Sequence, residues 1–160
     1  TKQKAKKSRT FRRINRKYPY IHPGTKVRRT SSLAIYIDQS GSVGDDGIAM
    51  FFSALAGLAK NVSFKVFHFD TAVDKNSEYS WRKGQKYRTP MRTLTGGTSF
   101  NCVEDHFRKR NSEFDGYIVM TDGCAQKPKT CISKRCWVLL PGYKKLNFTK
   151  EKRDSIVLMS

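Results

Sequence analysis

The chain has 160 residues, 38% hydrophobic and 28% charged, with 32 Lys and Arg against 13 Asp and Glu and a formal charge of +19. That length suits one ordinary domain with a sizeable core. No apolar run approaches the roughly 18 residues that span a bilayer, and no hydrophobic stretch follows the basic start as in a signal peptide. The expectation is a cytoplasmic protein with no membrane partner.

The charge is uneven. Residues 1–30 hold 12 of the Lys and Arg and no acidic residue; the other 130 carry 20 basic and 13 acidic groups, 20 − 13 = +7. The chain therefore reads as a basic N-terminal arm or linker, 1–30, followed by a domain, 31–160. Such an arm attracts polyanions. Its candidate nucleic-acid-binding residues are Lys2, Lys4, Lys6, Lys7, Arg9, Arg12, Arg13, Arg16 and Lys17, with Tyr18 and Tyr20 interspersed. The alternative is a solvated tail that aids solubility.

Leu33–Ile37 is a short apolar run of β-forming residues, the pattern of a strand buried on both faces. It ends at Asp38, and Gln39–Gly44 is a turn rich in Ser and Gly. Asp45 and Asp46 favour a helix start. Ile48, Phe51, Phe52, Leu55, Leu58 and Ala59 then recur at helical spacing as far as about Lys60. Val62–Phe69 is a second apolar stretch, which completes a βαβ unit. Tyr79–Lys83 and Lys86–Arg88 flank Gly84 and suggest a small exposed hairpin. Its Tyr79, Trp81 and Tyr87, set among Arg and Lys, either stack on unpaired bases or are simply solvated. A helix is expected from Ser99 to about Arg110, and strands at Tyr117–Met120, Cys136–Leu140 and Ile156–Met159. Lys144–Arg153 is too polar to place. Cys102 and Cys136 fall in apolar segments and read as buried thiols. The fold class is α/β: a Rossmann-like, doubly wound, mainly parallel sheet with helices on both faces.

Two of these strands deliver a carboxylate at or just after their C-terminal ends, Asp38 and Asp122. Ligands of open α/β sheets bind there, where the strand order reverses. Asp38, Ser40 and Ser42 occupy positions i, i+2 and i+4 of one turn, and Gly96-Gly97-Thr98 is a loop able to approach closely. The candidate metal residues Asp38, Ser40, Ser42, Thr98 and Asp122 form an all-oxygen set of three hydroxyls and two carboxylates. Hard cations choose such sets. Mg2+ is the expected cofactor, with Mn2+ or Ca2+ as alternatives. Two Asp charges balance a dication and leave it able to take one more anionic ligand from outside.

Asp38-Gln39-Ser40-Gly41-Ser42 resembles the DxSxS signature of von Willebrand factor A (VWA) domains, and Thr98 and Asp122 match the other two parts of their metal-ion-dependent adhesion site. The resemblance implies that Ser40, Ser42 and Thr98 are direct ligands, and that Asp38 and Asp122 act directly or through water. A carboxylate from an acidic protein partner commonly completes the sphere. Ile14–Gly24, Phe69-Asp70-Thr71-Ala72-Val73, the Gly-Gly-Thr-Ser loop and Thr121-Asp122-Gly123 look like one subgroup, the bacterial and phage proteins that pair this domain with an upstream predicted metallopeptidase half. That likeness covers residues 11–160. It implies that the chain is a C-terminal portion of such a protein, working in a bacterial or phage-infected cell.

Three functional readings follow. The leading one is a non-catalytic, divalent-metal-dependent module that captures an acidic group of a partner protein. The alternatives are nucleic-acid binding by residues 1–30 and a regulatory half of a zinc metallopeptidase. A phosphotransferase that begins with an Asp after its first strand needs a second acid two residues later, where this chain has Ser40. The sequence also lacks a Gly-x-Ser-x-Gly elbow and a P-loop lysine motif, and Gly41, Gly44 and Gly47 have the wrong spacing for a dinucleotide loop. No catalysis is expected.

Overall fold

The computed structural model describes residues 5–14, 17, 22–29, 32–85 and 89–159. The chain divides into two compact units, Thr1–Ser31 and Ser32–Ser160.

In the first unit, β1 (Ala5–Ile14) pairs antiparallel with β2 (Pro23–Arg29), in register from Ala5 opposite Arg29 to Thr10 opposite Gly24. The sequence reading placed no element in this segment. Its strands carry Lys and Arg where a half-buried strand would alternate apolar residues, so the usual period-two signal is missing.

The second unit is built on one sheet of six strands in the order β5-β4-β3-β6-β7-β8. These are β3 (Leu33–Asp38), β4 (Phe64–Phe69), β5 (Tyr79–Trp81), β6 (Gly116–Thr121), β7 (Lys134–Leu139) and β8 (Asp154–Leu158). Every pairing is parallel except β4 with β5. Helix α1 (Asp45–Ala59) connects β3 to β4, and α2 (Phe100–Arg110) precedes β6. The fold is therefore α/β and mainly parallel, as expected. The chain leaves β3 toward β4 and later returns to β3's other side as β6, so the order reverses between β3 and β6.

Alternation along β3 separates the two faces. Ala34 and Tyr36 join Phe100, Val103 and Phe107 of α2 in one core cluster, whereas Ile35 and Ile37 join Ile48, Phe51, Phe52 and Leu55 of α1 in the other. One helix thus covers each face. Burial on both sides explains why β3 reads as a continuous apolar run. No helix among the described residues is long and apolar enough to cross a membrane.

Two sequence readings are corrected. Trp81 is fully buried, tilted against Phe52 and Phe64, and Tyr79 packs edge-on to His68. β5 is the antiparallel partner of β4, so these rings serve the core and Trp81 offers no face to a base. Tyr87 lies outside the described residues. Cys102 and Cys136 are half-buried, whereas Cys131 is buried and Cys124 exposed.

A buried ionic cluster ties α2 to the far half of the sheet. Arg135 on β7 donates to Asp154 of β8 at 2.7 and 2.9 Å and to Glu104 of α2 at 2.7 Å. The Tyr117 hydroxyl donates to the same Glu104 oxygen at 2.6 Å. All three charged side chains are essentially inaccessible. Removing one partner of such a group leaves buried charge uncompensated, at a cost of about 3–5 kcal/mol. Arg135→Ala is therefore expected to lower stability by about that amount in urea denaturation; a loss of under about 1 kcal/mol would show that the cluster contributes little.

Candidate metal centre

The C-terminal ends of β3 and β6 lie side by side, with Ile37 opposite Met120 in the last paired register. Asp38 closes β3 and Asp122 follows β6 directly, so neighbouring strands bring the two carboxylates to the same end of the sheet. Both are buried, at 0% and 1% exposure.

Each carboxylate is held by nearby donors. Asp38 Oδ1 accepts the Ser40 amide at 2.9 Å, and Asp38 Oδ2 accepts the Thr121 hydroxyl at 2.6 Å. That hydroxyl has a single hydrogen, so Asp122 Oδ1, 3.5 Å away, draws its shorter bond from the Cys124 amide at 2.9 Å. Burial pushes the Asp38 carboxyl above its usual range, against the pull of the Thr121 and Ser40 donors, and Asp122 pushes it the same way. Asp122 Oδ2 is buried without a hydrogen-bond partner among the described residues.

The turn after β3 adds the hydroxyls. Ser40 Oγ and Ser42 Oγ are 3.2 Å apart, with Ser40 buried and Ser42 exposed. The Val43 amide donates to the Ser40 carbonyl, which folds the turn back before α1 begins. Thr98 belongs to the segment leading into α2. Two residues before it, the Gly96 carbonyl accepts the Gly41 amide at 3.1 Å, and the Ser99 amide donates to the Asp70 carbonyl at 2.9 Å. On one side of Thr98 the segment is therefore tied to the Ser40–Ser42 turn through Gly96 and Gly41, and on the other to the loop after β4 through Ser99 and Asp70.

Two glycines permit these close approaches. A Cβ on Gly96 would stand 2.6 Å from Asp70 Oδ2. That carboxylate is itself turned by its bond to the Ala72 amide. Asp70 is thus a turn residue against which the Thr98 segment packs. Gly123 has φ +80°, in the left-handed region, and its missing side chain leaves room for Leu139 and Leu146.

An unpartnered carboxylate oxygen, a second buried carboxylate and a pair of hydroxyls make an all-oxygen donor set suited to a hard divalent cation. Among the described residues, no three His, Cys, Asp or Glu side chains cluster so as to hold a metal; a site of this composition depends on hydroxyls instead. Sequence reasoning quoted Thr121 in a motif without seeing that its hydroxyl donates to Asp38, and missed Arg92, considered below. The neighbouring His68 is buried, its Nδ1 3.0 Å from the Thr93 hydroxyl, and burial lowers its pKa to about 4. It is a neutral core residue at ordinary pH. His106 pairs with the Tyr36 hydroxyl at 2.9 Å.

No protein-family model matches the chain, and no curated protein matches it. Among solved structures, the ArnB paralog VWA2 from Sulfolobus acidocaldarius aligns with 17% identity and a TM-score of 0.46, over 69% of this chain and 34% of that one. The chain thus spans about a third of that protein's length. An aerotolerance-related membrane protein from Bacteroides fragilis NCTC 9343 aligns with 10% identity and a TM-score of 0.49, over 80% of each chain.

Thr121 gives the local arrangement its test. Its hydroxyl is a donor to a buried carboxylate, and loss of such a bond costs about 1.5–3 kcal/mol. Thr121→Val is expected to lower the stability of the metal-free protein by that much in urea denaturation, and a neutral effect would contradict the geometry.

Proposed function

We propose that residues 32–160 are a VWA-type binding module. In this reading Ser40, Ser42 and Thr98 hold one divalent cation, Mg2+ or the similar Mn2+ or Ca2+, with Asp38 and Asp122 directly or through water. The observation that carries it is the buried pair of carboxylates at the β3/β6 crossover, one oxygen of which, Asp122 Oδ2, lacks a hydrogen-bond partner among the described residues. Buried like charges are unfavourable unless something positive offsets them. A dication does so and keeps a coordination position for an outside ligand. The bound ion would present a Lewis-acidic face to an acidic side chain of a partner protein, and the module captures rather than converts that partner. The same domain could serve as the regulatory half of a longer metallopeptidase, as the sequence resemblance implies.

A second reading has its own observation. β1 and β2 carry Lys6, Lys7, Arg9, Arg12, Arg13, Lys26, Arg28 and Arg29 and no acidic residue. A run of positive residues with no acidic one among them attracts a polyanion, and a two-stranded β-ribbon fits the DNA major groove. Arg9, Arg12 and Lys17 are exposed; Lys2, Lys4 and Arg16, also candidates, lie outside the described residues.

Isothermal titration tests the first reading: Mg2+ or Mn2+ should bind the wild type with one site per chain, and Asp38→Ala or Asp122→Ala should abolish it. A wild type that binds neither ion contradicts the reading. Partner capture should disappear on adding EDTA. For the second reading, log affinity for duplex DNA should fall linearly with log salt. Replacing Lys6, Lys7 and Arg9 together by Gln should reduce that slope by about 2–3, at roughly 0.9 per phosphate contact. An unchanged slope removes the hairpin from the interface.

A further inference from the structure

The turn between β3 and α1 has no regular secondary structure, yet most of its backbone groups are accounted for. Gln39 N–H donates to the Phe69 carbonyl, Ser40 N–H to Asp38, Gly41 N–H to the Gly96 carbonyl, and Val43 N–H to the Ser40 carbonyl. On the acceptor side, one distant side chain dominates. Arg92 Nη1 donates to the Gln39 carbonyl at 3.1 Å and reaches the Ser40 carbonyl at 3.4 Å, while Nη2 donates to the Val43 carbonyl. Its Nε donates at 2.6 Å to Asp45, the first residue of α1. One guanidinium therefore spans the turn from its first residue to the start of the helix.

Next to it in sequence, the Thr93 amide donates to the Gln39 side-chain carbonyl at 3.0 Å. Arg92, Thr93 and Gly96 together fasten the segment that carries Thr98 to the turn that carries Ser40 and Ser42. From these contacts we propose that Arg92 is the positioning residue of the metal centre. It locks the two hydroxyl-bearing loops into one piece before the ion arrives; the inference rests on the metal reading given above. A planar guanidinium holds five N–H donors in a rigid fork that spans separate acceptors, whereas a lysine ammonium offers three donors from one nitrogen on a flexible stem.

A cation beside a cation site opposes metal binding by simple Coulomb repulsion. Deleting it would tighten the site if charge were its whole effect, and would leave affinity unchanged if Arg92 only braced the fold. Loss of a group that orients metal ligands weakens binding about 10–100-fold.

The test is titration of the full chain with Mn2+ and Mg2+ in the wild type, Arg92→Ala and Arg92→Lys, alongside amide hydrogen exchange of the metal-free proteins. The expected result is affinity weakened about 10–100-fold in Arg92→Ala and weakened in Arg92→Lys despite its retained charge. Exchange should quicken at Gly41 and Val43 with β3 and β6 unchanged. Where Arg92→Ala fails to fold, the lysine variant carries the comparison. Unchanged or tightened affinity in the variants overturns the positioning role alone. A wild type that binds neither ion overturns both this role and the metal reading.

Discussion

The structure depends on how two buried carboxylates are tolerated at the carboxyl end of a hydrophobic sheet. Asp38 and Asp122 end or follow adjacent parallel strands at the centre of the sheet, so both are drawn out of water by the strands that deliver them. Removing an ion from water costs several kcal/mol even after the protein relaxes. The chain meets part of that cost locally: Thr121 and the amides of Ser40 and Cys124 donate to three of the four carboxylate oxygens. The fourth oxygen and the residual repulsion are what a divalent ion would answer.

The remaining architecture isolates this end of the sheet from the work of folding. α1 and α2 cover opposite faces with separate apolar clusters, and the Arg135 cluster binds α2 to β7 and β8. Stability is thus carried along the faces, and in the loop after β3 Val43 is anchored in the α1 core cluster. The Gly41 amide and the Arg92 guanidinium brace that loop further, and the Ser99 amide ties the Thr98 segment to Asp70, giving these irregular segments a rigidity they would otherwise lack. A site that must hold an ion in a fixed geometry gains from such bracing, because ordering the ligands at the moment of binding would weaken affinity.

Much of this was legible in the sequence, for identifiable reasons. β3, β4, β6 and both helices announced themselves because they are buried along regular faces, so hydrophobic periodicity matched packing. The placement of Asp38 and Asp122 followed from the ends of two of those strands. The β1/β2 pairing was not legible, since its strands are marked by charge rather than apolar alternation. Trp81 was misread because its basic neighbours suggested a surface, whereas three residues of pairing with β4 suffice to bury it. Arg92 left no trace at all. Its partners Gln39, Ser40, Val43 and Asp45 lie some fifty positions away, three of them engaged through backbone carbonyls that any residue type would offer.

One divalent ion is the proposed occupant of the space among Asp38, Ser40, Ser42, Thr98 and Asp122. Crystals of the chain grown with Mn2+ and measured at a wavelength where manganese scatters anomalously address it most directly. One strong anomalous peak bordered by those five residues is expected, at oxygen-ligand distances of roughly 2.0–2.3 Å. Loss of that peak in Asp122→Ala crystals would bind it to the site. Well-diffracting wild-type crystals with no peak there, or with manganese only elsewhere on the surface, would contradict it.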